Sequence, residues 1–394
     1  MKLAFSDEDK AFRQEVRAFI AAELPADLAR REAMGFHNGR ATVDPWQRKL
    51  HARGWAAPSW PREYGGTGWS PIQRYIFELE CGLANAPEYS LIAMSMVGPV
   101  ICRFGSPALQ ERFLAPMLSG DCWFCQGFSE PQAGSDLASL RTRAVRDGDD
   151  YVINGQKIWT TDAHMADYMI CLARTDPDAK PQAGLSMIIV PMDAPGVTVR
   201  PIGTIDGDAH VNEVFLEDVR VPAGHLIGKP NEGWTQAKFL LGHERTHNAY
   251  VGMLCRYLAR IPGLIDDECT RGLGPVEAAE YRRRHALLAI DVEALQWSVL
   301  RVLAGEEGPR LNAAASAIAI RGAEYLLRAA DLETAILGPQ VIPRFRPDDS
   351  LPLPAGAPAS APGRSTQYLY WWAATIFGGT DEIQRNIIWN TLFR

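Results

Sequence analysis

The apolar residues of this chain change period twice, and those two switches limit the folds open to it. Up to about Gly120 they recur at helical spacing. From Cys122 they run in short strand-like stretches, and from Gly233 long helical stripes return. The order predicts an α+β chain of three domains. A helical domain covers 1–120, a β domain of the barrel or sandwich kind covers 121–232, and an antiparallel helical bundle covers 233–394.

Each segment carries local punctuation. Ser6 caps a first helix whose opening turn holds Asp7, Glu8 and Asp9, and Phe12, Val16, Phe19 and Ile20 form its apolar face. Helical pieces follow over Pro45–Gly54, Pro71–Asn85, Tyr89–Phe104 and Pro107–Leu118, with a glycine-rich turn at Trp60–Gly68. In the β region Asn154-Gly155 reads as the turn of a hairpin between Tyr151–Ile153 and Lys157–Trp159. Further strands are expected at Met169–Arg174, Leu185–Pro191, Val197–Pro201 and Asn212–Val221. Three long helices are expected over Trp234–Ile261, Val276–Leu303 and Asn312–Ile336. A proline-rich loop over Pro339–Pro362 and a last helix from about Thr366 complete the chain.

One charged residue breaks the apolar stripe of the first long helix. With Ala237, Leu240, Leu241, Val251, Leu254 and Leu258 on one face at about 100° per residue, Glu244 falls between Leu241 and Val251. An inward carboxylate is either half of a buried ion pair or a working acid–base group. The same residues, His243-Glu244-Arg245-Thr246-His247, match H-E-x-x-H, in which two histidines one turn apart bind zinc and the glutamate acts as base. No downstream histidine stands at the spacing of a third metzincin ligand. The stripe arithmetic favours an inward carboxylate with no metal over paired zinc ligands.

Composition narrows the function classes. A chain of 394 residues with 47% hydrophobic and 22% charged residues can bury a sizeable core and has no apolar run of membrane-span length. A formal net charge of −7 argues against a general nucleic-acid binder. The N-terminal residues run straight into a charged helix, so no signal peptide is expected, and seven cysteines without framework spacing point to a reducing cytoplasm. Cys122 and Cys125 have redox-motif spacing but lie in a strand-like apolar run and read as core.

Three stretches taken together carry a resemblance. They are Gln126-Gly127-Phe128-Ser129-Glu130-Pro131-Gln132-Ala133-Gly134-Ser135-Asp136, Trp159-Thr160-Thr161, and Phe377-Gly378-Gly379-Thr380-Asp381-Glu382-Ile383-Gln384-Arg385. With these the chain resembles the acyl-CoA dehydrogenase family of flavoproteins from Phe12 to Arg394. The resemblance implies a four-helix C-terminal bundle, FAD as cofactor and an acyl-CoA thioester as substrate. Ser129 matches the residue that meets the flavin ring, and Ser135 the one at the FAD pyrophosphate, which is also counted on the substrate side. Trp159 and Thr161 match residues flanking the isoalloxazine, and Thr380 and Glu382 match positions contacting the FAD phosphates. Gln126, Phe128 and Thr160 stand in the same stretches and are counted with the cofactor site. Arg245, Gly378 and Gly379 match substrate-side positions. The implied reaction takes the α-proton as H⁺ and the β-hydrogen as hydride to flavin N5, leaving a 2,3-enoyl thioester, with an electron-transferring flavoprotein as acceptor.

Two departures shape the expectation. Many relatives place the base just before the last Gly-Thr, where this chain has Gly378; a subset places it on the helix, at the position of Glu244. The stripe and the resemblance therefore point to the same residue. Homotetrameric relatives also carry an R-x-x-F-G turn and a Gly-Gly helix end for the adenine half of FAD. This chain reads Arg283-Arg284-His285-Ala286-Leu287 and Leu337-Gly338-Pro339 there. The erosion implies a homologous second subunit in an α2β2 assembly, with a homotetramer as the alternative, and the chain resembles heteromeric members such as pimeloyl-CoA dehydrogenase large subunits and steroid side-chain enzymes. The alternatives are a base-bearing or inert subunit that is inactive alone and, more remotely, a zinc metallopeptidase. The acyl group is left open among dicarboxylic, fatty and sterol-derived.

Overall fold

A computed structural model describes residues 5–35, 37–87, 92–247, 249–305, 309–342 and 358–393, with the side chains of 243–247 and 309–310 outside the description. The chain has a helical N-terminal region, a curled β-sheet and a C-terminal helix bundle, as the two changes of period predict. Contacts divide it into two units. One joins Met1–Asn38, Trp69–Pro87 and Arg245–Arg394; the other joins Gly39–Gly68 and Glu88–Glu244.

In the first unit, helix α1 (Asp7–Glu23) opens on a capping box. The Ser6 hydroxyl accepts from the Asp9 N–H at 3.1 Å, and the Asp9 carboxylate accepts from the Ser6 N–H at 3.1 Å. Helix α2 (Ala26–Met34) follows, and helix α4 (Pro71–Leu83) packs on α1. The bundle consists of α8 (Val251–Thr270), α9 (Pro275–Leu303), α10 (Pro309–Leu337) and α12 (Asp381–Phe393); α11 (Arg364–Trp371) lies on α10. Its one deeply buried carboxylate among the described residues of α10 is Glu333, gripped by Arg260 at 2.6 and 2.7 Å and approached by Arg364 at 3.4 Å.

In the second unit, helices α3 (Arg40–Arg53), α5 (Gly98–Phe104) and α6 (Pro107–Ser119) accompany one seven-stranded mixed sheet. Its strands are β1 (Phe124–Gly127), β2 (Arg143–Asp147), β3 (Asp150–Thr161), β4 (Tyr168–Arg174), β5 (Leu185–Pro191), β6 (Val197–Ile202) and β7 (Val211–Pro222). The order is β1-β4-β2-β3-β7-β6, with β5 on β4. A single curled sheet replaces the sandwich alternative. Cys125, Ile153, Met169, Cys171, Ile188, Val190, Val214 and Val219 fill its core. Cys122 and Cys125 are free thiols within that packing, and burial pushes Cys122 up to about 12 and raises Cys125 as well, so neither is a reactive thiolate.

Several expectations change. The Asn154-Gly155 hairpin does not form, because β3 runs through those residues and the tight turn lies earlier, between β2 and β3 around Gly148. Asn154 spends its side chain on Asp218, accepting from its N–H at 2.9 Å. A Cβ on Gly155 would stand 2.3 Å from the Thr142 hydroxyl, so the dipeptide serves a β-bulge against β7. Strand β2 has no counterpart in the sequence reading; its Arg-Ala-Val-Arg-Asp buries only Ala144. The expected helix over Trp234–Ile261 is two helices, α7 (Gly233–His247) and α8, with Tyr250 between them at φ +50°. The stripe through Leu241 and Val251 is therefore interrupted, and periodicity alone no longer aims Glu244 inward. Of the expected helix Tyr89–Phe104, residues 89–91 lie outside the description, and a π-turn over Ile92–Val97 leads into α5. Within the proline-rich stretch, Gly338–Val341 is a short 3₁₀ turn, and residues 343–357 lie outside the description.

Candidate flavin and acyl-thioester site

The second unit carries the first two sequence stretches on adjacent strands. Strand β1 ends at Gly127, with Gln126 half-buried opposite Ile170 and Phe128 buried just beyond. The loop that follows is pinned at three successive residues. The Phe128 carbonyl accepts from Lys157 Nζ at 3.1 Å, the Ser129 carbonyl from the Ile158 N–H at 3.0 Å, and the Glu130 carboxylate from Lys157 Nζ at 2.9 Å. Glu130 also receives the N–H groups of Arg141 at 2.7 Å and Thr142 at 2.8 Å. Its own backbone pairs with Ala133 in both directions at 3.0 Å, closing the Pro131-Gln132 turn. Burial works to raise this carboxyl, but the Lys157 ammonium and the donated hydrogen bonds overcome it and hold it at about 2. Ser135, farther along the loop, is exposed.

On β3 the usual alternation fails where the chemistry is expected. Tyr151, Ile153 and Lys157, separated by even steps, face the core, so Trp159 is due to follow them inward. Instead the register shifts between Lys157 and Thr160, and Trp159 takes φ +59°. Its indole ends 58% exposed, while Thr160 beside it is buried. An aromatic in the left-handed region costs about 1–2 kcal/mol, and the neighbouring bonds hold it there. Asn212 on β7 donates to the Thr160 carbonyl at 2.9 Å, and the Asp162 N–H reaches the His210 carbonyl at 2.8 Å. Thr161 is half-buried opposite Val211. The result is an exposed flat apolar ring next to a threonine pair on a fixed backbone.

The fit of a flavin to these residues can be tested on unsatisfied atoms. The buried Thr160 hydroxyl and the Asn212 side-chain oxygen have no hydrogen-bond partner among the described residues. Both atoms are closed to the surface and suit buried water, whereas the exposed Trp159 indole beside half-buried Thr161 forms a flat apolar wall with a hydroxyl edge that suits an aromatic ring. The residues fit the group.

The third stretch lies in the first unit. Gly378 at φ +68° and Gly379 at φ +96° form a turn that residues with side chains rarely adopt, and Gln384, itself buried, ties both carbonyls at 3.2 Å through Nε2. The Thr380 hydroxyl accepts the Ile383 N–H at 3.3 Å and caps α12. The remaining first-turn N–H groups and the helix dipole make this end attractive to an anion. Glu382 is exposed in that turn. Its carboxyl is held below the ordinary value by its own backbone N–H and then by the Thr380 hydroxyl. An anionic Glu382 suits capping rather than direct contact with a phosphate.

Helix α7 carries Glu244 and Arg245, together with His243 and His247, but these side chains lie outside the described residues. Sequence reasoning passed over Lys157, Asn212 and Gln384. A signal existed for the first: a lysine at the inward position of an alternating strand is rare unless paired.

The comparisons agree with this arrangement. The model for the acyl-CoA dehydrogenase N-terminal domain matches residues 6–121, that for the middle domain 125–219, and that for the C-terminal domain 231–393. The chain belongs to the acyl-CoA dehydrogenase family of oxidoreductases. Within it, the chain is similar to acyl-CoA dehydrogenase IpdE1 of Mycobacterium tuberculosis, 34% identical over 384 residues, covering 96% of this chain and 95% of the relative. Among solved structures it is similar to the Tcur3481-Tcur3483 steroid ACAD. That likeness has a TM-score of 0.85 at 33% identity and covers 99% of this chain and 98% of the other. It is also similar to the ChsE4-ChsE5 complex from Mycobacterium tuberculosis, with a TM-score of 0.83, 32% identity and the same coverage. The H-E-x-x-H pattern lies inside the matched C-terminal domain, so family membership accounts for those residues without zinc.

Proposed function

We propose that this chain is the base-bearing subunit of a heteromeric, FAD-dependent acyl-CoA dehydrogenase that converts an acyl-CoA to its 2,3-enoyl-CoA. The observation that carries the reading is Trp159, held exposed at positive φ beside the pinned Ser129 loop and half-buried Thr161. Bound FAD supplies the hydride acceptor. Ser129, Trp159, Thr160 and Thr161, with Gln126 and Phe128 beneath them, offer the wall and hydrogen-bonding groups for its ring. Ser135 in the second unit stands on the phosphate side of that wall, and in the first unit Thr380 and the first-turn amides of α12 offer an anion-binding helix end.

The chain's own chemistry is proton removal. Glu244 takes the α-proton as the β-hydrogen leaves with its electron pair, so substrate loses H⁺ and hydride together. Carbonyl charge developing in that step is stabilised by a backbone N–H, and the Gly378-Gly379 turn exposes such groups without side chains. Arg245 orders the substrate side. Water excluded by the thioester raises the basicity of Glu244. Electrons then pass to an electron-transferring flavoprotein.

Partnering rests on three supports. The segments Arg283–Leu287 and Leu337–Pro339 lack the residues that homotetrameric relatives donate to a neighbour's FAD. Two similar solved structures are described as pairs of distinct chains. Apolar side chains also stand exposed on the bundle: Leu287 and Ile290 on α9, and Trp389, Leu392 and Phe393 on α12. The description of the first of those neighbours as a steroid ACAD favours a sterol-derived acyl-CoA over a fatty or dicarboxylic one. The test is to purify the chain alone and with a co-expressed homologous subunit, measure flavin per chain, and assay turnover on steroid side-chain, fatty and dicarboxylic acyl-CoAs. One tightly held FAD per chain in the lone protein would refute the heteromer.

A further inference from the structure

We infer that Lys157 is a positioning residue, whose buried ammonium sets Ser129 and Trp159 in register with each other. The inference rests on the flavin reading of those two residues. Lys157 is fully buried, and its three donors are all spent: on the Phe128 carbonyl at 3.1 Å, the Leu172 carbonyl at 2.8 Å and the Glu130 carboxylate at 2.9 Å. Those acceptors belong to the loop after β1 and to β4. One side chain on β3 therefore ties together three neighbouring segments.

A buried ion pair is weak evidence of stabilisation, because an apolar pair of similar volume commonly does as well. What an apolar pair lacks is direction. Phe128 and Glu130 flank Ser129, and both are fixed by Lys157, while the Ser129 carbonyl is taken by the N–H of Ile158, the next residue along. The register shift that throws Trp159 outward begins at Lys157 itself. The ammonium thus fixes the loop on one side and the start of the bulge on the other. A hydrophobic residue there would leave Ser129 and the indole free to slide relative to each other.

The experiment uses the complete assembly with its partner subunit and compares wild type, Lys157→Met and the charge-balanced double variant Lys157→Met/Glu130→Gln. Three quantities are read: FAD affinity by flavin fluorescence, the visible circular dichroism of bound flavin, and amide exchange of peptides spanning 126–136 and 156–162 without flavin. The urea midpoint reports folding. The double variant is expected to keep a midpoint near wild type, bind FAD at least tenfold more weakly, change the flavin dichroism and exchange faster in both peptides. A folded double variant with wild-type affinity, dichroism and exchange would overturn the inference. Wild type that takes up no FAD beside its partner would overturn the flavin reading beneath it, and that result is read before any variant is made.

Discussion

Asn212 on β7 donates its side-chain amide to the Thr160 carbonyl on β3 at 2.9 Å, and makes a longer bond at 3.3 Å to the His210 carbonyl. The residue is fully buried and directly opposite Thr160 in the strand register. It closes the bulge one residue beyond Trp159. Replacing it by alanine removes that side-chain bond from a buried carbonyl. The expected loss is about 1–3 kcal/mol of stability, read from urea unfolding, with weaker FAD binding in the same sample.

Trp159 sits where glycine is most at ease. Trp159→Gly is expected to keep stability within about 1 kcal/mol of wild type, since relief of left-handed strain offsets the glycine's entropy. FAD affinity should drop about tenfold with loss of ring packing. Trp159→Val, β-branched in the same conformation, should unfold at lower urea than the glycine variant. The ordering of the two midpoints is the check.

Glu130→Gln leaves the Lys157 ammonium buried without a carboxylate and is expected to cost about 3–5 kcal/mol. The wild-type pair also has a pH dependence of definite sign. Its carboxyl is depressed to about 2 from an ordinary value of 4.5, so its stabilisation is complete above the ordinary value. It fades as pH falls from there towards 2. Urea midpoints of wild type should decline across that window by more than those of the glutamine variant, whose side chain does not titrate.

Glu244→Gln should retain flavin stoichiometry and slow the reductive half-reaction by about 10²–10⁴-fold, the usual reach of a general base. Stopped-flow bleaching of the flavin by acyl-CoA measures it. Unchanged bleaching would remove Glu244 from the reaction and leave the chain as an inert partner.

Much of the architecture was legible in the sequence because period and punctuation are local. The Ser6 cap, strands β4 to β7 and the long bundle helices follow from side chains within a few residues of one another. The failures share a cause. Asn154-Gly155 is a hairpin pair by its own chemistry, yet β7 and Thr142 lie against it and convert it to a bulge. The stripe from Trp234 to Ile261 looks continuous by spacing, yet Tyr250 adopts a left-handed conformation that divides it.

For the site, sequence alone supplied the residue types proposed to meet a flavin and the carboxylate proposed as base, since those are matters of residue identity at fixed positions. It did not supply the exposure of Trp159, the burial of Thr160 or the grip of Lys157 on the Ser129 loop. Those were decided by tertiary structure. A strand's alternation is set by its own backbone, whereas a bulge that reverses it exists only because bonds from β7, β4 and the loop after β1 hold one residue in a conformation it would not choose alone.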